Sequence, residues 1–300
     1  MDSKGRRAVL GAALLAAAAA TCGASLESPP GDVARAVAVG SMTVRYFDSG
    51  PSRGPPVVLL HGGGLTSQMW RPFAAAAAAA GLRAYSMETR NHGGTNNPGN
   101  QFGYQILAED LDGFLSALNI ERPMLVGYSD GGIIAQTWLL LHPDRARAVV
   151  IGGATHRVAA DAHYMAGLKS FYGFDGRGRL PDQALDALEV ANPDFATRLK
   201  TLHATLDDTD RWRRLHQLAW PTWTTRRVTP LSAYRRTRTP VLVILGENDE
   251  FFRVTDAVEL AAALPNGELA VLPGTGHSAF RERPAIFNAI VIDFLRRSLP

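Results

Sequence analysis

One cysteine, Cys22, stands in 300 residues. No internal disulfide can form, so the fold must be held by packing alone. Charge of one sign is equally scarce: 31 Lys and Arg against 28 Asp and Glu give a formal net charge of +3. Much of that excess sits at the N-terminus, where Lys4, Arg6 and Arg7 face only Asp2. No basic block elsewhere offers the stripe that phosphate neutralisation requires, which argues against a nucleic-acid partner. The 29 glycines and 18 prolines, about one residue in six, stay below low-complexity levels. With 46% hydrophobic and 20% charged residues, the composition excludes disorder, collagen-like repeats and a multispan membrane protein.

The first 22 residues read as an address. A short basic stretch to Arg7 precedes a thirteen-residue run of Ala, Val, Leu and Gly at 8–20, followed by small residues up to Cys22. That order is a secretory signal; a retained membrane helix is the alternative. Arg6-Arg7 before Ala8-Val9-Leu10 is similar to a twin-arginine export signal, with a general secretory signal as the other reading. Cys22 lies where a bacterial lipoprotein is cut and lipidated, which would anchor the chain to a membrane. Cleavage after Ala18-Ala19-Ala20 would instead leave it in a tail. The expected location is therefore exported: periplasmic, secreted or lipid-anchored. Residues 23–32 mix Ser, Pro and Gly as a linker, and one domain is expected over 33–300.

Within that domain, short continuous apolar runs at 57–60, 124–126, 148–151 and 241–245 alternate with helical patterns at 73–80, 105–118, 131–141 and 284–299. Runs of that kind suit strands buried on both faces, so the expected fold is α/β with a mainly parallel sheet. Residues 155–238 break the rhythm. They lack a strong strand run, carry a helical pattern at 181–190, and hold Trp212, Trp220, Trp223 and many arginines. The expectation is a helical cap inserted over the sheet edge, where open α/β sheets place their sites. At least two of the tryptophans are expected to pack the cap onto the sheet.

Gly127-Tyr128-Ser129-Asp130-Gly131 follows a strand candidate and opens a helix candidate. A strand-turn-helix of the form G-x-S-x-G presents its serine on a strained, exposed turn that tolerates only small neighbours. A serine hydroxyl needs an adjacent base, itself oriented by an acid. Asp249, in Gly246-Glu247-Asn248-Asp249, and His277, in Gly274-Thr275-Gly276-His277, each follow a strand candidate and fall in loops that converge on one sheet edge. Glu247, Glu250 and Asp256 are rival acids. His61-Gly62-Gly63-Gly64 follows the strand at 57–60, and its glycines let backbone N–H groups approach a carbonyl that is gaining charge. The oxyanion hole is assigned to the N–H groups of Gly63 and Asp130, with Gly64 as the alternative to Gly63. The Asp130 side chain has two readings: beside the acyl pocket, favouring substrates with an ammonium group, or turned into the helix N-terminus.

Together with Glu88-Thr89-Arg90-Asn91-His92-Gly93, these motifs resemble the serine α/β-hydrolase superfamily over about residues 33–300. Within it, 127–132 is similar to the biphenyl-hydrolase-like, or valacyclovir-hydrolase-like, branch, and 90–93 to small carboxylesterases. Glu88 stands where Asp is common and Asn91 where Gly is common. The resemblance implies that Ser129 attacks an ester-like carbonyl of a small molecule, that His277 takes and returns the proton, that Asp249 supports the imidazolium, and that water releases an acyl-enzyme. It implies no metal or organic cofactor. Cofactor-free perhydrolysis and carbon–carbon bond hydrolysis share such a triad and stay open, as does a non-catalytic ligand-binding protein on the same fold.

Overall fold

The computed structural model describes residues 33–160, 162–205 and 208–300. The signal segment 1–22, Cys22 and the linker 23–32 lie outside the described residues. Eight strands form one sheet: β1 (Val33–Val39), β2 (Met42–Ser49), β3 (Pro56–Leu60), β4 (Arg83–Met87), β5 (Met124–Tyr128), β6 (Ala148–Gly152), β9 (Val241–Gly246) and β10 (Gly267–Leu272). Their order is β1-β2-β4-β3-β5-β6-β9-β10. β2 runs antiparallel to both β1 and β4, and the remaining pairs are parallel. Every residue of β5, β6 and β9 is buried, as strands covered on both faces require.

Helices α1 (Arg71–Ala79) and α10 (Pro284–Arg297) cover one face. The alanine run of α1 allows close approach, with Ala74 and Ala77 buried beside Phe73. Helices α2 (Tyr104–Ala117), α3 (Asp130–Leu141) and α8 (Val254–Ala263) cover the other face. The short α9 (Ala279–Glu282) leads into α10. The order of elements is that of an α/β fold with a mainly parallel sheet, as expected, and the helices expected at 73–80, 105–118, 131–141 and 284–299 fall within two residues of those observed.

Between β6 and β9 the described residues form four α-helices, α4 (Ala162–Tyr172), α5 (Asp182–Ala191), α6 (Pro193–His203) and α7 (Arg211–Thr224), and a 3-10 turn at Leu231–Arg236. At their base, β7 (Arg157–Val158) pairs antiparallel with β8 (Arg227–Val228). This ribbon is too short for any period-two pattern to show in the sequence. Polar groups seat the insertion on the loop after β4 and on α3. The Arg211 guanidinium donates to the carbonyls of Gly93 and Thr95, and Arg227 Nη2 donates to Thr137 Oγ1 at 2.9 Å. Trp212 and Trp220 are fully buried within the insertion, Trp220 against Tyr172 at 5.0 Å between ring centroids.

Candidate active site

The turn between β5 and α3 dictates where the nucleophile candidate sits. Ser129 adopts φ 56 and ψ −121, a left-handed conformation that a side chain occupies only when its surroundings enforce it. Its N–H donates to the Gly152 carbonyl at 2.8 Å. Close packing explains the flanking glycines. A Cβ on Gly127 would lie 2.0 Å from the Gly131 carbonyl oxygen, and one on Gly131 would lie 2.0 Å from that of Leu60.

Three loops bring the remaining groups to this turn. His277 Nε2 lies 3.0 Å from Ser129 Oγ, and His277 Nδ1 lies 2.9 Å and 3.0 Å from the two oxygens of Asp249. A carboxylate only accepts, so Nδ1 carries the ring proton and Nε2 is left to accept from the serine hydroxyl. Asp249 is held by the N–H groups of Phe251 and Phe252, at 2.9 Å and 3.0 Å. Its side chain is 0% exposed, against 19% for His277. Burial pushes the His277 pKa down, but the Asp249 carboxylate, through charge and hydrogen bonds, then Glu250 and Asp130, outweigh it and raise it above 6.5. The rival acids have other partners. Glu247 accepts from Gly274 N–H, Glu250 from the His277 backbone N–H, and Asp256 lies 3.4 Å from Arg157.

The glycine loop after β3 lies beside the elbow, and a Cβ on Gly62 would sit 3.4 Å from Ser129 Cβ. The Gly62 N–H donates to Met69 Sδ at 3.2 Å and the Gly64 N–H to His92 Nε2 at 3.2 Å. Of the two candidate donors, Gly64 is thus already committed, and the hydrogen-bond pattern favours the Gly63 N–H. The Asp130 side chain does not fold back onto its own helix N-terminus. Trp223 Nε1 donates to its Oδ2 at 2.6 Å, and Tyr104 Oη donates to its Oδ1 at 2.8 Å. The carboxylate also abuts the glycine loop, for a Cβ on Gly63 would lie 2.6 Å from Asp130 Oδ2. Burial pushes the Asp130 carboxyl up to about 6, against the pull of the Trp223 and Tyr104 hydrogen bonds and the charge of His277. Trp223, unlike the other two cap tryptophans, thus ties the cap to this carboxylate.

The loop at 88–95 buttresses the site. Glu88 accepts from Ser67 Oγ at 2.8 Å and from Gly94 N–H at 2.7 Å, and the chain curls around its carboxylate. Asn91, in place of a glycine, has φ 65, a conformation asparagine tolerates better than most residues. The sequence reading missed two cap residues, His203 and His216, both buried against Gly64. His203 Nε2 lies 3.0 Å from the Gly64 carbonyl, and a Cβ on Gly64 would sit 2.8 Å from His216 Nε2. Neither occupies a local motif, so only the folded cap reveals them.

Residues 55–284 match the family described as alpha/beta hydrolase fold. The chain belongs to that family. Among curated relatives, this α/β hydrolase is 29% identical over 269 residues to a 2-hydroxy-6-oxononadienedioate/2-hydroxy-6-oxononatrienedioate hydrolase of Paraburkholderia phymatum, covering 85% of this chain and 91% of that one. Among solved structures, it superposes on a meta-cleavage product hydrolase from Pseudomonas fluorescens with a TM-score of 0.70 at 19% identity, over 88% of this chain and 98% of the other. An enol-lactonase from Burkholderia xenovorans gives a TM-score of 0.68 at 22% identity, over 87% and 100%. These two structural likenesses establish the fold. The chemistry must be argued from the site of this α/β hydrolase itself.

Proposed function

We propose that this α/β hydrolase is an exported serine esterase, cleaving carboxylic esters through an acyl-enzyme on Ser129. The observation that carries the reading is the unbroken hydrogen-bond chain from Asp249 through His277 to Ser129 Oγ, ending on a left-handed elbow residue. In the proposed cycle Ser129 Oγ bonds to the ester carbonyl carbon while His277 Nε2 takes its proton, and Asp249 stabilises the imidazolium. The N–H groups of Gly63 and Asp130 receive the carbonyl oxygen as it gains charge. Collapse of the tetrahedral intermediate breaks the carbon–oxygen bond, and His277 returns the proton to the leaving alcohol. Water, deprotonated by His277, then attacks the acyl carbon, and Ser129 leaves with its proton restored.

Hydrolysis of a carbon–carbon bond is the second reading, since the same triad suits it, and the Paraburkholderia relative is named as a hydrolase of a dioate. One feature of this chain weighs against that relative's substrate. A dioate carries two carboxylates, whereas the residue after the nucleophile here is a buried carboxylate whose hydrogen bonds come from the neutral Tyr104 and Trp223. Like charges in a desolvated pocket repel strongly, so neutral or cationic esters fit better. Export rests on residues 1–22 and is read from the N-terminus and lipid content of the mature chain in fractionated cells.

The deciding experiment is pre-steady-state release of p-nitrophenol from short acyl esters by the wild type and Ser129→Ala. A burst that the alanine variant lacks is expected. A folded wild type with neither burst, turnover nor labelling by a fluorophosphonate would point to a ligand-binding protein instead.

A further inference from the structure

Gly62, Gly63 and Gly64 form the oxyanion loop of the proposed reading, and three successive glycines have no conformation of their own. Donors that stabilise a transition state must nevertheless be aimed before the reaction begins. The loop is pinned one carbonyl or amide at a time. The Gly62 carbonyl accepts from Leu65 N–H at 3.1 Å and lies 2.9 Å from His61 Nδ1. The Gly64 N–H donates to His92 Nε2 at 3.2 Å, and the Gly64 carbonyl lies 3.0 Å from His203 Nε2. His61 and His92 belong to loops of the sheet edge. His203 comes from the other side, as the last residue of cap helix α6.

The protonation of His203 follows from its partners. The Gly93 N–H points at Nδ1 from 3.1 Å, and an amide can only donate, so Nδ1 is bare and the proton sits on Nε2. Nε2–H therefore donates to the Gly64 carbonyl. The ring is fully buried, and burial holds its pKa down to about 3, so it stays neutral. Its two bonds join the cap to the glycine loop and to the loop at Gly93, where Arg211 of α7 also grips the carbonyls of Gly93 and Thr95.

We infer that His203 is a positioning residue for the oxyanion hole: cap helix α6 fixes the Gly64 carbonyl, and the Gly63 N–H is correctly aimed only while the cap is seated. The inference rests on the reading of Ser129 as nucleophile and Gly63 as donor. It makes the cap a working part of the acylation machinery as well as the wall of a pocket.

The test uses two variants of the full chain that split the two bonds. In His203→Gln the amide nitrogen reaches the place of Nε2 and keeps the donor to Gly64. In His203→Asn the shorter amide reaches only the place of Nδ1 and keeps the Gly93 link. The acylation rate with p-nitrophenyl acetate, read from the burst at saturating substrate, is expected to fall about ten- to a hundredfold in the Asn variant, with the half-saturating concentration of the burst rate nearly unchanged, and to stay within about threefold in the Gln variant. An Asn variant that acylates at the wild-type rate, or equal losses in both variants, would overturn the inference alone. A folded wild type with neither burst, turnover nor fluorophosphonate labelling would overturn the Ser129 reading and this inference with it. Should the Asn variant not fold, nitrogen-15 NMR of the wild-type histidines decides: the Nε2–H tautomer of His203 is expected, and the Nδ1–H tautomer refutes the proposed bond.

Discussion

Asp130 Oδ2 accepts a hydrogen bond from Trp223 Nε1 at 2.6 Å, so the residue after the nucleophile candidate is held by the cap. This joins the elbow at the start of α3 to the last turn of α7, two segments 93 residues apart in sequence. It also takes a carboxyl group out of water with only neutral donors on its oxygens, and that arrangement has measurable consequences.

The first consequence is for stability. The Asp130 carboxyl, with an ordinary value of 3.8, is pushed up to about 6 by burial. The folded protein therefore binds a proton more tightly than the unfolded chain between those values. The associated stability is fully present below about 3.8 and is lost as the pH rises through about 6, a swing on the order of 3 kcal/mol. In Asp130→Asn that component vanishes. Urea denaturation at about pH 4 and pH 8 should show the wild type losing more stability than the variant over this interval; parallel losses would refute the raised pKa.

His277 governs activity on the acid side. Its pKa is raised above 6.5, and the reaction needs it neutral, so kcat/KM should climb with pH through a midpoint above 6.5. Asp249 is the largest source of the upward push. Asp249→Asn should move the midpoint to lower pH while cutting kcat by a factor on the order of 10⁴, since the imidazole loses its orienting partner. An unshifted midpoint in the variant would show that another group sets the acid limb.

Much of this arrangement was legible in the sequence, and the division has a physical basis. Strands buried on both faces, such as those at 57–60 and 241–245, are written as continuous apolar runs. The elbow is written in glycines because backbone carbonyls lie 2.0 Å from where a Cβ would be. The edge strand β1 and its antiparallel partner β2 escaped notice, since β1 is largely exposed and β2 breaks its apolar residues with Thr43, Arg45 and Asp48. β4 was missed as well, its five residues mixing Arg83 and Ser86 with apolar neighbours. The ties between cap and site were hidden for a different reason. His203, Arg211 and Trp223 act on residues that are distant in the chain, and nothing local to each marks its partner.

The glycine requirement at the elbow can be checked directly. Gly127→Ala and Gly131→Ala would each drive a methyl group onto a backbone carbonyl that cannot swing aside, costing about 3 kcal/mol or more. In a chain of this size that lowers Tm by roughly 5 °C or more. Gly99 is the control, because a Cβ there would meet nothing closer than 3.7 Å, and Gly99→Ala should leave Tm within a degree or two. Equal Tm values for all three variants would mean that the turn relaxes more freely than its contacts imply.

The remaining prediction concerns substrate charge. Asp130 has no lysine or arginine partner among the described residues, and Oδ2 sits against Gly63, the proposed oxyanion donor. Above about pH 6 it therefore presents an unmatched negative charge beside the place where the ester carbonyl would bind. An ammonium group within about 5 Å would gain about 1–2 kcal/mol there, or roughly five- to thirtyfold in kcat/KM. At pH 8 the wild type should thus prefer α-amino esters over their uncharged isosteres by that factor. The preference should shrink as the pH falls below about 6 and collapse in Asp130→Asn. Because both oxygens already hold neutral donors, the opposite result is equally informative. A wild type indifferent to the ammonium group, or an Asn variant that keeps the preference, would assign Asp130 to anchoring the cap through Trp223 and Tyr104.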